Sequence, residues 1–337
     1  MKPPVTVVGG GIAGLSAAWE LAKRGRAVRV LEAHRIGGGT SAVATGYLEP
    51  RLGRTAARRL EWTSLRMWPA FATELERKTG HDVGLRTSGQ WRYAFREDEP
   101  EVRADFEARR AAGWRVDWVE GDEVRAQDPL VSSDVIAAAR VHDPAWVDGP
   151  ALCRALAQAI AACPSCEVVE NRPADSTDCT GTTLIAAGDG TAALELDLPP
   201  IRRTKGTTLF YEGDYALARM LRHKTLSVVP RVDGLVVGSS RERGATSLEP
   251  DPAVVDELHA KAVRVLPILA HRTPVARCGF RAMIGDGSLN LGRHGDLFWS
   301  LSHAGVGYLR APLVAREMAA AIDGEAPRLT APFFRTI

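Results

Sequence analysis

Cysteine, an excess of one charge and long apolar runs are all scarce in this sequence, and each scarcity argues against a class of protein. Five cysteines, an odd number, are scattered over 337 residues, which argues against a disulfide framework and favours the cytoplasm. Lys and Arg number 43 against 41 for Asp and Glu, so the net charge of +2 gives no electrostatic footprint for nucleic acid. No apolar run reaches the ~18 residues of a membrane span. The composition, 45% hydrophobic, is instead that of a globular enzyme with a sizeable core.

Two of the cysteines, Cys163 and Cys166, form a CxxC pair. A structural metal would need a second pair of ligands, which the sequence does not offer. A redox dithiol normally opens a helix, whereas this pair follows one. We therefore predict ordinary reduced thiols and no metal site.

A glycine-rich turn near the start of the chain carries the strongest signal. The apolar run Val5–Val8 is typical of a buried parallel strand, and Gly9, Gly11 and Gly14 follow it on the GxGxxG spacing. In a nucleotide-binding turn, the first glycine makes the bend and the second lets the backbone approach a pyrophosphate. The third lets the following helix, here Leu15–Lys23, pack on the strand. The pattern predicts a dinucleotide site at the start of that helix.

An acidic residue stands where the second strand of such a unit ends. Ala27–Leu31 is predicted to be that strand, and Glu32 closes it. A carboxylate in this place accepts hydrogen bonds from the adenosine ribose. Strand, turn, helix and acid together define a dinucleotide fold, but they do not distinguish FAD from NAD.

The next segment favours FAD. Residues 37–50 read GGGTSAVATGYLEP, a second stretch of glycine and small hydroxyl residues that suits an extended dinucleotide. On these residues the sequence resembles the D-amino-acid oxidase family of flavoproteins, and most of all its glycine oxidase branch. The resemblance implies non-covalently bound FAD. It assigns Thr40 and Ser41 to the pyrophosphate, and Thr45, Gly46 and Tyr47 to the isoalloxazine ring.

The carboxyl-terminal part resembles the same family. Cys278-Gly279-Phe280-Arg281 is followed by Gly285-Asp286 and by the turn Ser302–Tyr308. By resemblance, Arg281 binds the substrate carboxylate, Asp286 braces the arginine loop, and His303 has a structural role. Main-chain N–H groups of the turn would face the flavin N1–C2 carbonyl. The full set of cofactor-binding residues predicted from the motif and the resemblance is Gly9, Gly11, Ile12, Ala13, Gly14, Glu32, Ala33, Thr40, Ser41, Thr45, Gly46, Tyr47, Ala174, Ala187, Gly188, Arg281, Gly305, Val306, Gly307 and Tyr308.

The predicted fold is a mixed α/β architecture. A Rossmann-type, glutathione-reductase-like FAD-binding domain comprises residues 1–80, 145–200 and 270–337. It is interleaved with an antiparallel-sheet substrate domain comprising residues 81–144 and 201–269. Within the substrate part, Ser88-Gly89-Gln90-Trp91 and Asp128-Pro129 match family motifs.

Three departures from the family pattern affect the substrate. Ser227 stands where relatives usually place a carboxylate-binding tyrosine, and Ala282 replaces a proline. Glu49 puts a carboxylate near the expected flavin face, where it would repel an acidic substrate or attract a polyamine-like cation. We therefore assign Arg281, Tyr47 and Glu49 as the candidate catalytic residues.

The favoured function is FAD-dependent oxidation of a small amine or amino acid by hydride transfer, giving an imine that hydrolyses, with O2 as the expected electron acceptor. One alternative is oxidative C–N cleavage on a modified nucleoside in tRNA or DNA, for which Arg51, Arg54, Arg58 and Arg59 would supply a basic rim. A second is a non-catalytic flavoprotein subunit. The sequence is compatible with a homo-oligomer.

Overall fold

The computed structural model describes residues 3–336, whose strands form two large sheets and one small pair. The strands in chain order are β1 (Val5–Val8), β2 (Val28–Leu31), β3 (Tyr47–Leu48), β4 (Gln90–Ala94), β5 (Val116–Glu120), β6 (Ala137–Val141), β7 (Ala145–Trp146), β8 (Cys166–Val169), β9 (Thr183–Ile185), β10 (Ile201–Glu212), β11 (Met220–His223), β12 (Leu226–Arg231), β13 (Gly234–Gly238), β14 (Glu242–Arg243), β15 (Val275–Ile284), β16 (Asn290–His294), β17 (Leu297–Leu301) and β18 (Phe334–Thr336). The α-helices are α1 (Ile12–Lys23), α2 (Thr40–Val43), α3 (Ala56–Thr79), α4 (Glu99–Ala111), α5 (Gly121–Gln127), α6 (Gly149–Ala161), α7 (Pro252–Val265) and α8 (Gly307–Ile322).

The first sheet has seven strands in the order β18-β16-β17-β9-β1-β2-β8. Strand β1 lies at its centre and pairs in parallel with both β2 and β9. Its apolar side chains are buried, as a parallel strand with covered faces requires. Helices α1, α3, α6 and α8 pack against one another, and their apolar faces form one core with this sheet. The glycine turn between β1 and α1 thus directly follows the central, buried strand of this sheet.

The second sheet is largely antiparallel and has its own apolar core. Its order is β14-β10-β13-β12-β11-β4-β6-β5, with β15 also paired to β10. Helix α7 packs against β10, β12 and β13. The core between them includes Leu209, Val237, Leu258 and Leu266. This sheet stands next to the cofactor segment predicted from residues 37–50.

The chain passes between the two sheets several times, and the mixed α/β fold predicted from the sequence is confirmed. One strand differs from the sequence-based division. Residues 270–337 were assigned to the FAD-binding part, but β15 pairs with β10 over ten residues, from Ile201 opposite Ile284 to Phe210 opposite Val275. This pairing places β15 in the second sheet. It is possible because β10 is 12 residues long and extends well beyond the strand predicted at Thr207–Tyr211. The exact domain boundaries remain a prediction.

Hydrogen bonds join the predicted cofactor segment to the second sheet. Thr208 Oγ1 donates to Val43 O at 3.0 Å, and Arg231 Nη2 donates to Ala44 O at 3.1 Å. Thr40 Oγ1 donates to Phe280 O at 2.5 Å. The segment is therefore held between the two sheets. None of the helices in residues 3–336 has the length and apolar character needed to cross a membrane.

Candidate active site

The glycine turn after β1 is closed by contacts that exclude side chains. Gly9 has φ +112°, and a Cβ atom there would lie 2.5 Å from Ala186 O at the end of β9. A Cβ atom on Gly14 would lie 2.0 Å from Gly9 O. Both distances are far below ordinary contact, so the first and third glycines of the motif have steric reasons to be glycine.

Glu32 lies at the same turn. Its Oε2 atom accepts a hydrogen bond from Gly10 N at 2.7 Å, and its Oε1 atom accepts one from His34 N at 2.9 Å. Ala33 is exposed beside it. The structure thus brings the predicted ribose-binding acid to the predicted pyrophosphate turn.

The start of α1 is open to an anion. Gly11 supplies no side-chain cap, and the first turn of this fully described helix has no acidic residue. Ile12 N donates to Ser41 Oγ at 3.1 Å, which places Ser41 beside the helix terminus, while Ala13 is half-buried next to it. Unfilled N–H groups and the helix dipole favour a phosphate here. These residues fit the pyrophosphate of FAD.

The segment after α2 leads into the small strand pair. Thr45 and Gly46 are buried, and Gly46 has φ +84° with space for no Cβ atom, since Val147 O would be 2.2 Å away. Tyr47 pairs with Trp146 in β3 and β7. On the other side of the turn, Ala174 and Ala187 join a small apolar cluster with Ile185, and Gly188 is half-buried with φ +58°.

The turn before α8 has an unusual backbone. Ser302 and Ala304 have positive φ angles of 57° and 49°, and Gly305 follows with φ 78°. Positive φ in non-glycine residues is strained and concentrates at functional sites. Helix α8 begins at Gly307, so the turn ends at a helix amino terminus as predicted for residues 305–308.

Two buried residues hold that turn, one through a bond to the cofactor segment and one through a bond within the turn itself. Tyr308 is buried, and its hydroxyl donates to Ser41 O at 2.7 Å. Val306 is also buried, and its N–H donates to His303 O at 3.1 Å. The two family-like ends of the sequence therefore meet in space, although more than half of the chain separates them.

Arg281 extends from β15 toward this turn. Its Nη2 atom donates to Ser239 Oγ at 2.7 Å, and its Nη1 atom donates to Ser240 O at 3.1 Å. A Cβ atom on Gly305 would lie 3.7 Å from Arg281 Nε. Burial lowers the pKa of Arg281 from its ordinary value, and the neighbouring Arg241 lowers it further. The guanidinium nevertheless remains protonated at any working pH, because its reference pKa is so high.

The role expected for Glu49 is corrected by the structure. Its side chain is buried, and it accepts a hydrogen bond from Gln90 Nε2 at 2.8 Å. Burial raises its pKa, but Arg92, Arg222 and Arg109 outweigh burial and hold the pKa of Glu49 below its ordinary value. A carboxylate shared by three guanidinium groups presents no free negative charge. Glu49 therefore neither repels an acidic substrate nor attracts a polyamine.

Two further expectations concern the closing turn. His303 is half-buried near Arg310, and desolvation first, then that arginine, lower its pKa to about 3. A histidine that is neutral throughout the physiological range fits the structural role predicted for it. Asp286 does not brace Arg281, because its carboxylate instead accepts hydrogen bonds from Ser288 N at 2.8 Å and Ser288 Oγ at 3.0 Å.

Two of the four arginines expected to form a basic rim are engaged in ion pairs with a buried carboxylate. Glu61 is completely buried on α3, and Arg51 Nη2 and Arg58 Nη1 lie 2.6 Å and 2.9 Å from its Oε1 atom. Arg310 Nη2 reaches the same atom at 2.9 Å. Arg51 and Arg58 thus serve an internal ion cluster, which removes much of the support for a nucleic-acid rim.

The sequence analysis did not predict the residues that hold Arg281 or the arginines that surround Glu49. Ser239 and Ser240 hold Arg281, and Ser227, expected to replace a substrate-binding tyrosine, instead donates to Gly238 O at 3.0 Å within the sheet. Arg92, Arg109 and Arg222 surround Glu49 from three separate elements. A single sequence offers no local signal for such groupings.

A dinucleotide turn joined to a large antiparallel sheet, with an arginine at their junction, defines a flavin-dependent oxidoreductase. Comparisons with known proteins agree. The family model for FAD-dependent oxidoreductases called DAO matches residues 4–321. A glycine oxidase of Bacillus licheniformis is 30% identical, over 94% of this chain and 92% of that protein.

Solved structures show the same architecture. The glycine oxidase of Geobacillus kaustophilus superposes with a TM-score of 0.87 at 25% identity, covering 98% of this chain and 97% of that one. The iminodiacetate oxidase of Chelativorans sp. BNC1 superposes with a TM-score of 0.84 at 19% identity, covering 98% and 99%, a likeness of fold.

This chain belongs to the DAO family of FAD-dependent oxidoreductases. The predictions of FAD as cofactor and of an enzyme that oxidises an amine or amino acid are confirmed. Neither the modified-nucleoside alternative nor the non-catalytic subunit is favoured.

Proposed function

We propose that this enzyme oxidises a small amino acid or N-substituted glycine whose carboxylate is bound by Arg281. The observation that carries the proposal is the position of the Arg281 guanidinium, fixed by Ser239 and Ser240 beside Gly305. A planar guanidinium binds a carboxylate through two parallel hydrogen bonds. Holding the substrate by this end would present its Cα–H bond to the cofactor in one orientation.

The FAD would lie across the junction of the two sheets. Gly9, Gly11, the start of α1 and Ser41 would hold the pyrophosphate, and Glu32 the ribose. Thr45, Gly46 and Tyr47 would border the flavin on one side, and the turn at Gly305–Tyr308 on another. The N–H groups that begin α8 would stabilise negative charge at the flavin N1–C2 edge.

FAD bound at this junction would supply the acceptor for the hydride that leaves the substrate Cα. The amine loses one proton to solvent, and water hydrolyses the resulting imine to a 2-oxo acid and ammonia or a smaller amine. The residues of this chain bind and orient the substrate. No side chain is required as a strong base, in keeping with the neutral His303.

We propose O2 as the electron acceptor. The name of the Bacillus licheniformis relative, glycine oxidase, supports this assignment. Air-saturated buffer should reoxidise the substrate-reduced enzyme rapidly and yield hydrogen peroxide. Slow reoxidation, accelerated only by an artificial dye, would indicate a dehydrogenase.

The test of the proposed function is anaerobic reduction of the holoenzyme. Glycine, sarcosine, D-amino acids and simple amines are mixed with the protein, and loss of the flavin absorbance is followed. We expect carboxylate-bearing amines to reduce the flavin. Arg281→Met should weaken their apparent affinity by about 2 to 4 kcal/mol while leaving FAD bound. Unchanged affinity would remove Arg281 from substrate binding.

A further inference from the structure

A small cleft lies next to Tyr47, apart from the Arg281 guanidinium. Its volume is about 140 Å³, and its wall includes Tyr47, Glu49, Arg51, Arg92, Arg109 and Arg222. This size is close to the ~150 Å³ of a cavity that takes one benzene molecule. The cleft therefore has room for a small group and not for a whole cofactor.

Positive charge exceeds negative charge around the cleft. Arg92, Arg109 and Arg222 lie within 3.0 to 3.6 Å of the Glu49 oxygens. Asp105 adds one carboxylate, paired to Arg92 Nε at 2.7 Å and Arg109 Nε at 2.8 Å. Three guanidinium groups thus share two carboxylates, and Arg51 contributes from the adjoining Glu61 cluster, where three arginines share one carboxylate.

Two of these arginines have unused hydrogen-bonding capacity. Arg109 Nη1 and Arg222 Nε are buried and make no well-directed hydrogen bond among residues 3–336, although each lies near Glu49. The Arg109 side chain is only 6% exposed. Both arginines also line the cleft, so an anion that entered it would meet guanidinium groups whose hydrogen bonding to Glu49 is incomplete.

Tyr47 connects this cleft with the proposed substrate site. Its ring lies beneath the Arg222 guanidinium, with Cζ 4.5 Å from the ring centroid. In the proposed function, Tyr47 also borders the flavin. The same side chain therefore links the cleft with the place where the substrate would be oxidised.

We propose that the arginine cleft beside Tyr47 is a second acid-binding subsite, and that the substrate is a secondary amine carrying two carboxylates. This inference rests on the proposed function, in which Arg281 binds the carboxylate next to the oxidised carbon. The second carboxylate, on the other nitrogen substituent, would enter the cleft and accept hydrogen bonds from Arg222 and Arg109. The Glu49 carboxylate holds the guanidinium groups in place. It also offsets part of their positive charge, which lowers the cost of burying them.

The reaction on such a substrate is balanced. An N-(carboxyalkyl)glycine loses a hydride from the glycine Cα to FAD and its N–H proton to solvent, giving an imine. Water adds to the imine carbon and the C–N bond breaks. The products are glyoxylate and the amino acid that retains the second carboxylate.

The experiment compares matched substrates on the holoenzyme. Flavin reduction is measured anaerobically with iminodiacetate, N-(2-carboxyethyl)glycine, the neutral amide analogue of each, sarcosine and glycine. We expect at least one dicarboxylate to exceed its amide in kred/Kd by about 10- to 100-fold, as expected for a charge-assisted hydrogen bond to a buried arginine.

Two variants assign that preference to the cleft. Arg222→Met should abolish the preference for the dicarboxylate while changing the rate with glycine less than threefold, and Arg222→Lys should restore part of it. Arg264→Met is the matched control. Arg264 also pairs with a carboxylate, Glu97 at 2.5 Å, and lies over a ring, Phe95 at 3.6 Å, but away from the cleft.

The outcomes separate the two proposals. Equal reduction by a dicarboxylate and its amide, or equal loss on all substrates in Arg222→Met, overturns the second subsite and leaves the proposed function standing. If Arg222→Met does not fold, the comparison of each dicarboxylate with its amide on the wild-type enzyme still tests the second subsite. Reduction by none of these compounds overturns both.

Discussion

The indole nitrogen of Trp91 donates a hydrogen bond to Asp128 Oδ2 at 2.6 Å, and both side chains are fully buried. Asp128 Oδ1 also accepts a hydrogen bond from Ala218 N at 2.6 Å. The contact joins two motifs recognised in the sequence, Ser88-Gly89-Gln90-Trp91 and Asp128-Pro129, inside the second sheet. An acidic side chain between a strand and two loops serves structure rather than chemistry.

We predict that Asp128→Asn lowers the free energy of unfolding by about 2 to 4 kcal/mol. The amide has one acceptor oxygen where the carboxylate has two, so either Trp91 or Ala218 is left facing an N–H group. Urea unfolding of the holoenzyme measures the change. Asp122→Asn is the control, since that side chain is 98% exposed, and it should cost less than about 1 kcal/mol. Equal effects of the two substitutions would contradict the prediction.

Gly206 offers a way to move Arg281 without replacing it. A Cβ atom on Gly206 would lie 2.5 Å from Nη1 and Nη2 of Arg281. The Gly206 backbone is in an extended strand, so alanine is tolerated there and the flexible arginine end must shift. We predict that Gly206→Ala raises the apparent Kd of carboxylate substrates about 10- to 100-fold and leaves the protein folded.

Flavin reduction and thermal unfolding of Gly206→Ala are measured together. Gly190→Ala serves as the control, because a Cβ atom there meets nothing within 4 Å. Affinity for carboxylate substrates equal to that of the control would show that Arg281 does not require its present position.

His303 should make stability depend on pH. Its pKa in the folded protein is about 3, against 6.5 for a free histidine. Between these values the unfolded chain takes up a proton that the folded protein does not, so stability is lost as pH falls below about 6.5. From pH 7 to pH 5 the histidine alone should remove about 1 to 2 kcal/mol.

The comparison with His303→Gln isolates this contribution from that of the carboxylates. Denaturant unfolding at several pH values should show a shallower pH dependence in the variant, whose side chain does not titrate. Parallel curves for the two proteins would mean that His303 is not held neutral by the fold.

The parts of the site that were predictable are those encoded by local spacing. Gly9, Gly14 and Glu32 are close in sequence, and each belongs to one strand-turn-helix unit whose geometry the spacing determines. The family, the mixed α/β fold and the dependence on FAD followed from that unit, from residues 37–50 and from the closing turn. The roles of the individual site residues remain predictions.

The environment of Glu49 was not predictable, because it is assembled from distant parts of the chain. Arg92 comes from β4, Arg109 from α4 and Arg222 from β11, and nothing near Glu49 in the sequence announces them. Read alone, Glu49 is an extra negative charge. In the fold it is the counterion of an arginine cluster. The charge that we infer for the preferred substrate therefore changes from positive to negative.

The order of strands in the first sheet has a consequence for how the enzyme is made. Strand β1 lies between β2 and β9, and β17 pairs with the far side of β9, while β16 and β18 complete the row. A chain leaving the ribosome exposes its glycine turn early, but the sheet that carries the turn is complete only after β16, β17 and β18 have been synthesised. Long-range pairing of this kind slows folding. Flavin uptake is therefore expected to be a late, post-translational event, and limited riboflavin should leave full-length chains that lack FAD and are exposed to proteases.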